Sequence, residues 1–240
     1  MLLLIKYQKN QDHLCMNILI IGDAINFEEC GQKFGASHSY TLAKNQQEAE
    51  KFFGKDVVIF DFTIEEDLTQ MEVYRDHPLA TAFLNTAKVN LAQLAASVNH
   101  QIKCTLFGFV GLPTFLNRQV LETSLYKIDQ KSRLIEICTA LNTPFQIVSD
   151  RVGLVTPRVI CMIINEAYFT AQEGTASRED IDKAMKLGTN YPFGPFEWCQ
   201  KIGLRHTYEL IEAVYEDTKD ERYKICPLLK REYLMINRSK

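Results

Sequence analysis

Up to Asp150, short apolar runs rich in β-branched and aromatic residues alternate with helical stretches; beyond it no run reads as a strand. This change of pattern constrains the fold more than any other feature. Strands separated by helices imply a parallel sheet with crossover helices, because parallel neighbours cannot be joined by tight turns. The strand runs are Asn17–Ile21 (closed by Gly22), Ser39–Ala43, and residues 56–62, 79–84, 103–110, 120–125 and 145–148. Between them, a short polar helical stretch running to Gly35 and helices over 46–53, 89–98 and 130–141 are expected.

In the second half, Thr156-Pro157 reads as an N-cap followed by proline at the first helical position. Ile160, Ile163, Ile164, Ala167 and Ala171 carry that helix towards Gly174. Ser177-Arg178-Glu179-Asp180 has the form of a capping box and opens a helix ending at Gly188. Pro195 starts a short helix that stops near Gly203, 207–216 is amphipathic, and a last helix follows Pro227. The sequence therefore divides near 149–153 into an α/β domain, residues 16–149, and an all-α domain, residues 150–240. Residues 1–15 precede Met16 and its strand, and read as an extension or an upstream start.

Composition narrows the functional classes. With 46% hydrophobic and 24% charged residues the chain suits a globular domain with a real core. A net charge of −3 and no basic run argue against a nucleic-acid partner. No apolar run reaches the ~18–20 residues of a membrane span, and no secretory leader is legible. The seven cysteines are odd in number and none has CxxC spacing. That fits neither a disulfide framework nor a metal site, and a cytoplasmic location is expected.

Several motifs occur in fixed order: Asp150-Arg151-Val152-Gly153, Arg158, Asn165-Glu166-Ala167, Gly174, the run Ala176 to Gly188, and Tyr191-Pro192-Phe193-Gly194-Pro195-Phe196-Glu197 with Gly203-Leu204. In order and spacing they resemble the C-terminal domain of the 3-hydroxyacyl-CoA dehydrogenase family. The α/β half is similar in element order, in Asn85-Thr86 after its fourth strand, and in the stretch 129–150. The resemblance implies a Rossmann-like, mostly parallel sheet domain that binds NAD or NADP, followed by a helical domain through which a homodimer forms. It also implies an active site between the two that oxidises a 3-hydroxyacyl-CoA in fatty-acid metabolism.

The chemistry the resemblance implies is largely missing. Oxidising a secondary alcohol needs a general base, and the family supplies a histidine oriented by a glutamate, with an asparagine and a serine on the substrate oxygens. The histidine position aligns with Phe109, which has no titratable proton. The asparagine aligns with Pro157 and the serine with Ala87. The glutamate falls at Leu121, or at Glu122 after a one-residue slip that turns it to the other strand face. Glu122 is the one candidate catalytic residue. The five histidines (His13, His38, His77, His100, His206) are read as surface or capping residues.

The cofactor loop is similarly eroded. A dinucleotide loop reads G-x-G-x-x-G between strand and helix. The chain has Gly22-Asp23-Ala24-Ile25-Asn26-Phe27, keeping only the first glycine. Candidate cofactor contacts are Gly22, Asp23, Ala24, Lys44 (towards a 2′-phosphate) and Asn85. Glu65 and Glu66 fall where the family has an acidic residue on the cofactor side. The family's long helical hairpin, on which CoA leans, is shortened to the 46–53 helix. No metal is expected.

Three readings follow. One is a working dehydrogenase with a rebuilt site. The second is a catalytically impaired relative that binds a nucleotide or acyl-CoA, or serves as a dimeric partner. The third is an unrelated enzyme using Tyr40, Asp61, Arg118, Glu122 and Tyr191. The second is preferred, because losses within one catalytic unit are not independent. It predicts a cleft filled by Phe27 and Phe109, no perturbed titratable pair, and a large apolar dimer face.

Overall fold

A computed structural model gives the structure of residues 15–54 and 56–237. Of the expected extension, residues 1–15, all but Cys15 lies outside the described residues, as does His13. Seven strands form one sheet: β1 (Asn17–Ile21), β2 (Ser39–Ala43), β3 (Val57–Asp61), β4 (Thr81–Asn85), β5 (Thr105–Phe109), β6 (Leu121–Leu125) and β7 (Phe145–Ile147). Their order is β2-β1-β3-β4-β5-β6-β7. All neighbours are parallel except β5 and β6, which run antiparallel with Phe109 opposite Thr123. The segment joining those two strands holds no helix, so the chain turns back instead of crossing over.

Alternate side chains feed two cores. Leu19, Ile21, Ile59, Leu84 and Leu106 pack on one face, and Ile18, Ile20, Phe60, Phe83, Phe107 and Phe109 on the other. The sheet helices are α1 (Ala24–Phe34), α2 (Gln46–Glu50), α3 (Leu91–Ala96) and α4 (Lys131–Ala140). The helix expected over 46–53 thus ends three residues early.

The second domain comprises α5 (Thr156–Gln172), α6 (Arg178–Thr189), α7 (Pro195–Ile202), α8 (Leu204–Thr218) and α9 (Pro227–Asn237). Its core is continuous with the sheet domain: Ala87, Val110 and Leu112 join Ile160, Ile164, Trp198 and Leu210. Thr156 is helical rather than the N-cap of α5; Val155 takes that place without a side-chain acceptor. A carboxylate from β6, Glu122, supplies it instead.

The Gly194-Pro195 motif has a clear physical basis. Asp182 on α6 is buried and accepts from Phe196 N (2.8 Å) and Glu197 N (3.1 Å), so it caps α7 from another helix. A Cβ on Gly194 would stand 2.3 Å from Asp182 Cγ. Asn165, also buried, donates to Lys224 O and accepts from Cys226 N, both at 2.9 Å, and so fixes the approach to α9. Among the described residues no helix is long and apolar enough to cross a membrane.

Candidate interdomain site

The C-terminal edge of the sheet faces the helical domain. β2 and β3 flank β1 on opposite sides, so the chain leaves β1 at a topological switch point, where open α/β sheets bind ligands. There Asp23 is the N-cap of α1, its Oδ1 accepting from Ile25 N (2.9 Å) and Asn26 N (3.0 Å). Asn26 Oδ1 returns the interaction by accepting from Asp23 N (3.0 Å). The same oxygen would lie 2.3 Å from a Cβ on Gly22, so the space above that glycine is filled. Ala24 is the first helical residue. As folded, this loop does not fit a diphosphate, because the backbone donors that would hold one bind Asp23. Phe27 is half-exposed and lies edge-on to Tyr40 (6.0 Å), so it does not fill the cleft as expected.

Lys44 has an exposed side chain and uses its backbone N–H on Glu48 Oε2 (3.0 Å). Asn85 is buried and committed to backbone. Its Nδ2 donates to Phe62 O (3.2 Å), and its Oδ1 accepts from Gly111 N (2.9 Å) and Ala87 N (3.3 Å). It ties the ends of β3, β4 and β5 together.

Phe109 closes β5, fully buried. Its ring stands edge-on to Phe60 (5.5 Å) and Phe62 (5.1 Å). Glu122 faces away from Leu121, which packs in the same core as Phe109. The Glu122 carboxylate takes Val155 N, Thr156 N (3.0 Å) and Thr156 Oγ1 (2.5 Å) at the start of α5. Pro157 is buried within the first turn of that helix.

The expectation of no perturbed titratable pair fails at the domain junction. Lys88, next to Ala87, places Nζ 3.0 Å from Glu65 Oε1, 2.8 Å from Glu209 Oε2 and 3.2 Å from His206 Nδ1. Glu65 and Lys88 come from loops after β3 and β4, His206 and Glu209 from α8. Burial pushes the Glu65 carboxyl above its usual range. Against burial of its own charge, the carboxylates of Glu65 and Glu209 hold the Lys88 ammonium protonated. Burial, together with the Lys88 charge, lowers His206 to about 4, which keeps the imidazole neutral. In the sequence only the acidic pair Glu65-Glu66 points to a member of this cluster, because the other members lie far apart along the chain.

The polar residues of the third reading do not converge as a set, although Arg118 and Glu122 lie close enough for their charges to interact. Tyr40 donates to Gly35 O. Asp61 is fully buried, accepting from Tyr74 OH (2.8 Å), Gln46 Nε2 (2.9 Å), Thr63 N (2.9 Å) and Ile64 N (3.0 Å). Burial raises its pKa against the bonds from Gln46, Tyr74 and Thr63, which lower it. The Arg118 guanidinium lies over the Phe115 ring (4.5 Å), and Tyr191 packs at a tilt against Trp198 (5.3 Å). His38 Nδ1 accepts from Met16 N, and His77 meets Glu50 (3.1 Å). Among the described residues no group of three or more metal-ligating side chains forms, and all seven cysteines are free thiols, six of them buried.

A mostly parallel sheet, a switch-point loop after β1 and a helical domain packed on the C-terminal edge of the sheet make up a two-domain architecture, α/β then all-α. Residues 153–235 match the model of the 3-hydroxyacyl-CoA dehydrogenase C-terminal domain. In sequence, that segment groups with the C-terminal domains of the 3-hydroxyacyl-CoA dehydrogenase family. The chain is 41% identical over 88 residues to a 3-hydroxyadipyl-CoA dehydrogenase of Escherichia coli, covering 37% of this chain and 18% of that protein. It is 30% identical over 146 residues to a 3-hydroxybutyryl-CoA dehydrogenase of Clostridioides difficile, covering 60% of this chain and 52% of that one. The matches thus span about half the length of such relatives, or less. In fold it is similar to FadB2 of M. tuberculosis, with a TM-score of 0.72, 16% identity and 95% of each chain covered.

Proposed function

We propose that this chain is a catalytically impaired member of its family, retained as a dimeric binding or partner protein. The observation that carries the reading is Phe109. The position that needs a general base holds a phenyl ring sealed among Phe60 and Phe62, and a hydrocarbon ring cannot take the hydroxyl proton. Pro157 and Ala87 add no hydrogen-bonding side chain where the resemblance places the oxygen-binding asparagine and serine, and Glu122 is engaged in capping α5.

The test is acetoacetyl-CoA-dependent oxidation of NADH and NADPH by the purified protein. The expected rate is that of buffer alone. Sustained turnover would overturn the reading. Running Glu122→Gln and His206→Asn beside it would then identify the replacement base. His206 is the one specific observation in favour of a rebuilt site, being a neutral imidazole in the junction beside the Ala87 segment.

The partner in this reading is a second copy. Val155 (51% exposed), the N-cap of α5, and Val159 (53%), one turn into that helix, are exposed. On the same helix, Ile163 and Ala167 line an apolar groove completed by Ile181, Ala184 and Met185 of α6. Contiguous exposed apolar surface of this kind marks an interaction face. Sedimentation at micromolar concentration should give a dimer; a monomer would remove this part of the proposal. The free thiols suit a reducing, cytoplasmic setting.

A further inference from the structure

The switch-point loop holds an anion of its own. We infer that Asp23 is a resident occupant of the phosphate cradle and that the chain is closed to dinucleotides by this side chain, not merely weakened towards them by lost glycines. Three features of the fold carry this inference. The donors at the start of α1, Ile25 N and Asn26 N, are bound by Asp23 Oδ1 at 2.9 and 3.0 Å. A phosphate oxygen would need the same two hydrogens. The space over Gly22, through which a diphosphate would approach the backbone, is filled by Asn26 Oδ1, itself fixed on Asp23 N. Finally, Asn85 on the neighbouring strand end has its amide spent on Phe62, Ala87 and Gly111 backbone, so it is not free to turn towards a ligand.

The physical consequence is competition within the molecule. A carboxylate two and three residues from its donors competes at a high effective concentration, which any free ligand must exceed. It also carries negative charge, so an incoming diphosphate meets repulsion where a neutral glycine loop would offer attraction. Glu29, on the same helix, adds a second carboxylate close enough to Asp23 for their charges to interact. The helix dipole that favours a ligand anion instead favours the chain's own.

The experiment titrates NADH (by fluorescence) and inorganic pyrophosphate (by amide chemical shifts of residues 22–27) into the wild-type chain, Asp23→Gly/Asn26→Ala and Asp23→Ser. Wild type is expected to show no saturation with either probe. The double variant is expected to bind pyrophosphate at least about tenfold more tightly, with NADH following. Glycine is tolerated at an N-cap, so α1 should survive. Asp23→Ser keeps a neutral cap and guards against a folding artefact; it should gain less, because its hydroxyl still occupies a donor. Micromolar saturation of wild type by NADH overturns the inference. So does a folded double variant that gains no affinity for either probe, since closure would then lie elsewhere. Binding and turnover are separate readouts: wild type that binds NADH without oxidising it would sink this inference and leave the catalytic reading intact.

Discussion

Lys88 Nζ stands 2.8 Å from Glu209 Oε2, a pair 121 residues apart in sequence that joins the sheet domain to α8. Both side chains are largely buried, and Glu65, which shares the ammonium, is only 4% exposed. The cluster sits at the junction where the resemblance implies an active site. It adds a charge cluster to the apolar core that already joins the two domains.

Lys88→Met should therefore be costly. Removing one partner of a buried pair leaves an uncompensated charge, here Glu65, at roughly 3–5 kcal/mol in full burial. The residual exposure of Lys88 and Glu209 reduces this to about 2–4 kcal/mol. Urea denaturation measures it. Adding Glu65→Leu should recover part of the loss, because two apolar side chains leave no orphaned carboxylate. A Lys88→Met protein as stable as wild type would mean that water already solvates the cluster.

Gly194→Ala should destabilise the helical domain by about 2–4 kcal/mol. The new methyl would meet the Asp182 carboxylate, whose oxygens hold Phe196 N and Glu197 N. Asp182→Ala, which makes room but loses the cap, should cost about 1–2 kcal/mol. Thermal unfolding of the two single variants and the double variant decides the matter: with Asp182 gone, the alanine at 194 should add little.

What was legible in the sequence was what local chemistry decides. The first strand run ends at Gly22 as read, and Ser177 caps α6 through Asp180 N as its motif implied. What was not legible depended on distant partners. Thr156 looked like an N-cap because it precedes a proline; the acceptor comes from Glu122, across 34 residues. His206 looked like a capping residue because nothing near it signals Lys88, 118 residues away. Asp23 is the instructive case. Its reciprocal bond with Asn26 is local, and a short polar residue three positions before an amide is a capping signature. The expectation of a dinucleotide loop hid it.

Glu122→Ala should behave as the loss of a helix cap. The carboxylate serves two backbone N–H groups and the Thr156 hydroxyl at the start of α5. Losing these costs about 1–2 kcal/mol, read as a lower urea midpoint with unchanged slope. Glu122→Gln retains an acceptor oxygen and should lose less than half as much. Equal losses would show that the negative charge at the helix N-terminus, not the acceptor, carries the effect.

The pH dependence of stability should carry the mark of His206. In the fold its pKa is lowered from 6.5 to about 4 by burial and the Lys88 charge. Above about pH 7 the imidazole is neutral folded or unfolded and contributes no slope. As pH falls from about 6.5 towards 4, the unfolded chain takes up a proton that the folded one refuses, so stability is lost on acidification. Glu65 works in the opposite sense, since its raised pKa lets the folded state take up a proton first. Glu209, with Lys88 and Arg205 beside it, sits below its usual range and adds an acid-side loss at lower pH. His206→Asn isolates the first contribution, because asparagine does not titrate. The stability difference between wild type and this variant, from urea curves at pH 7, 6, 5 and 4, should move steadily against wild type as pH falls. A constant difference would mean that the imidazole titrates freely in the folded protein and that Lys88 does not hold it neutral.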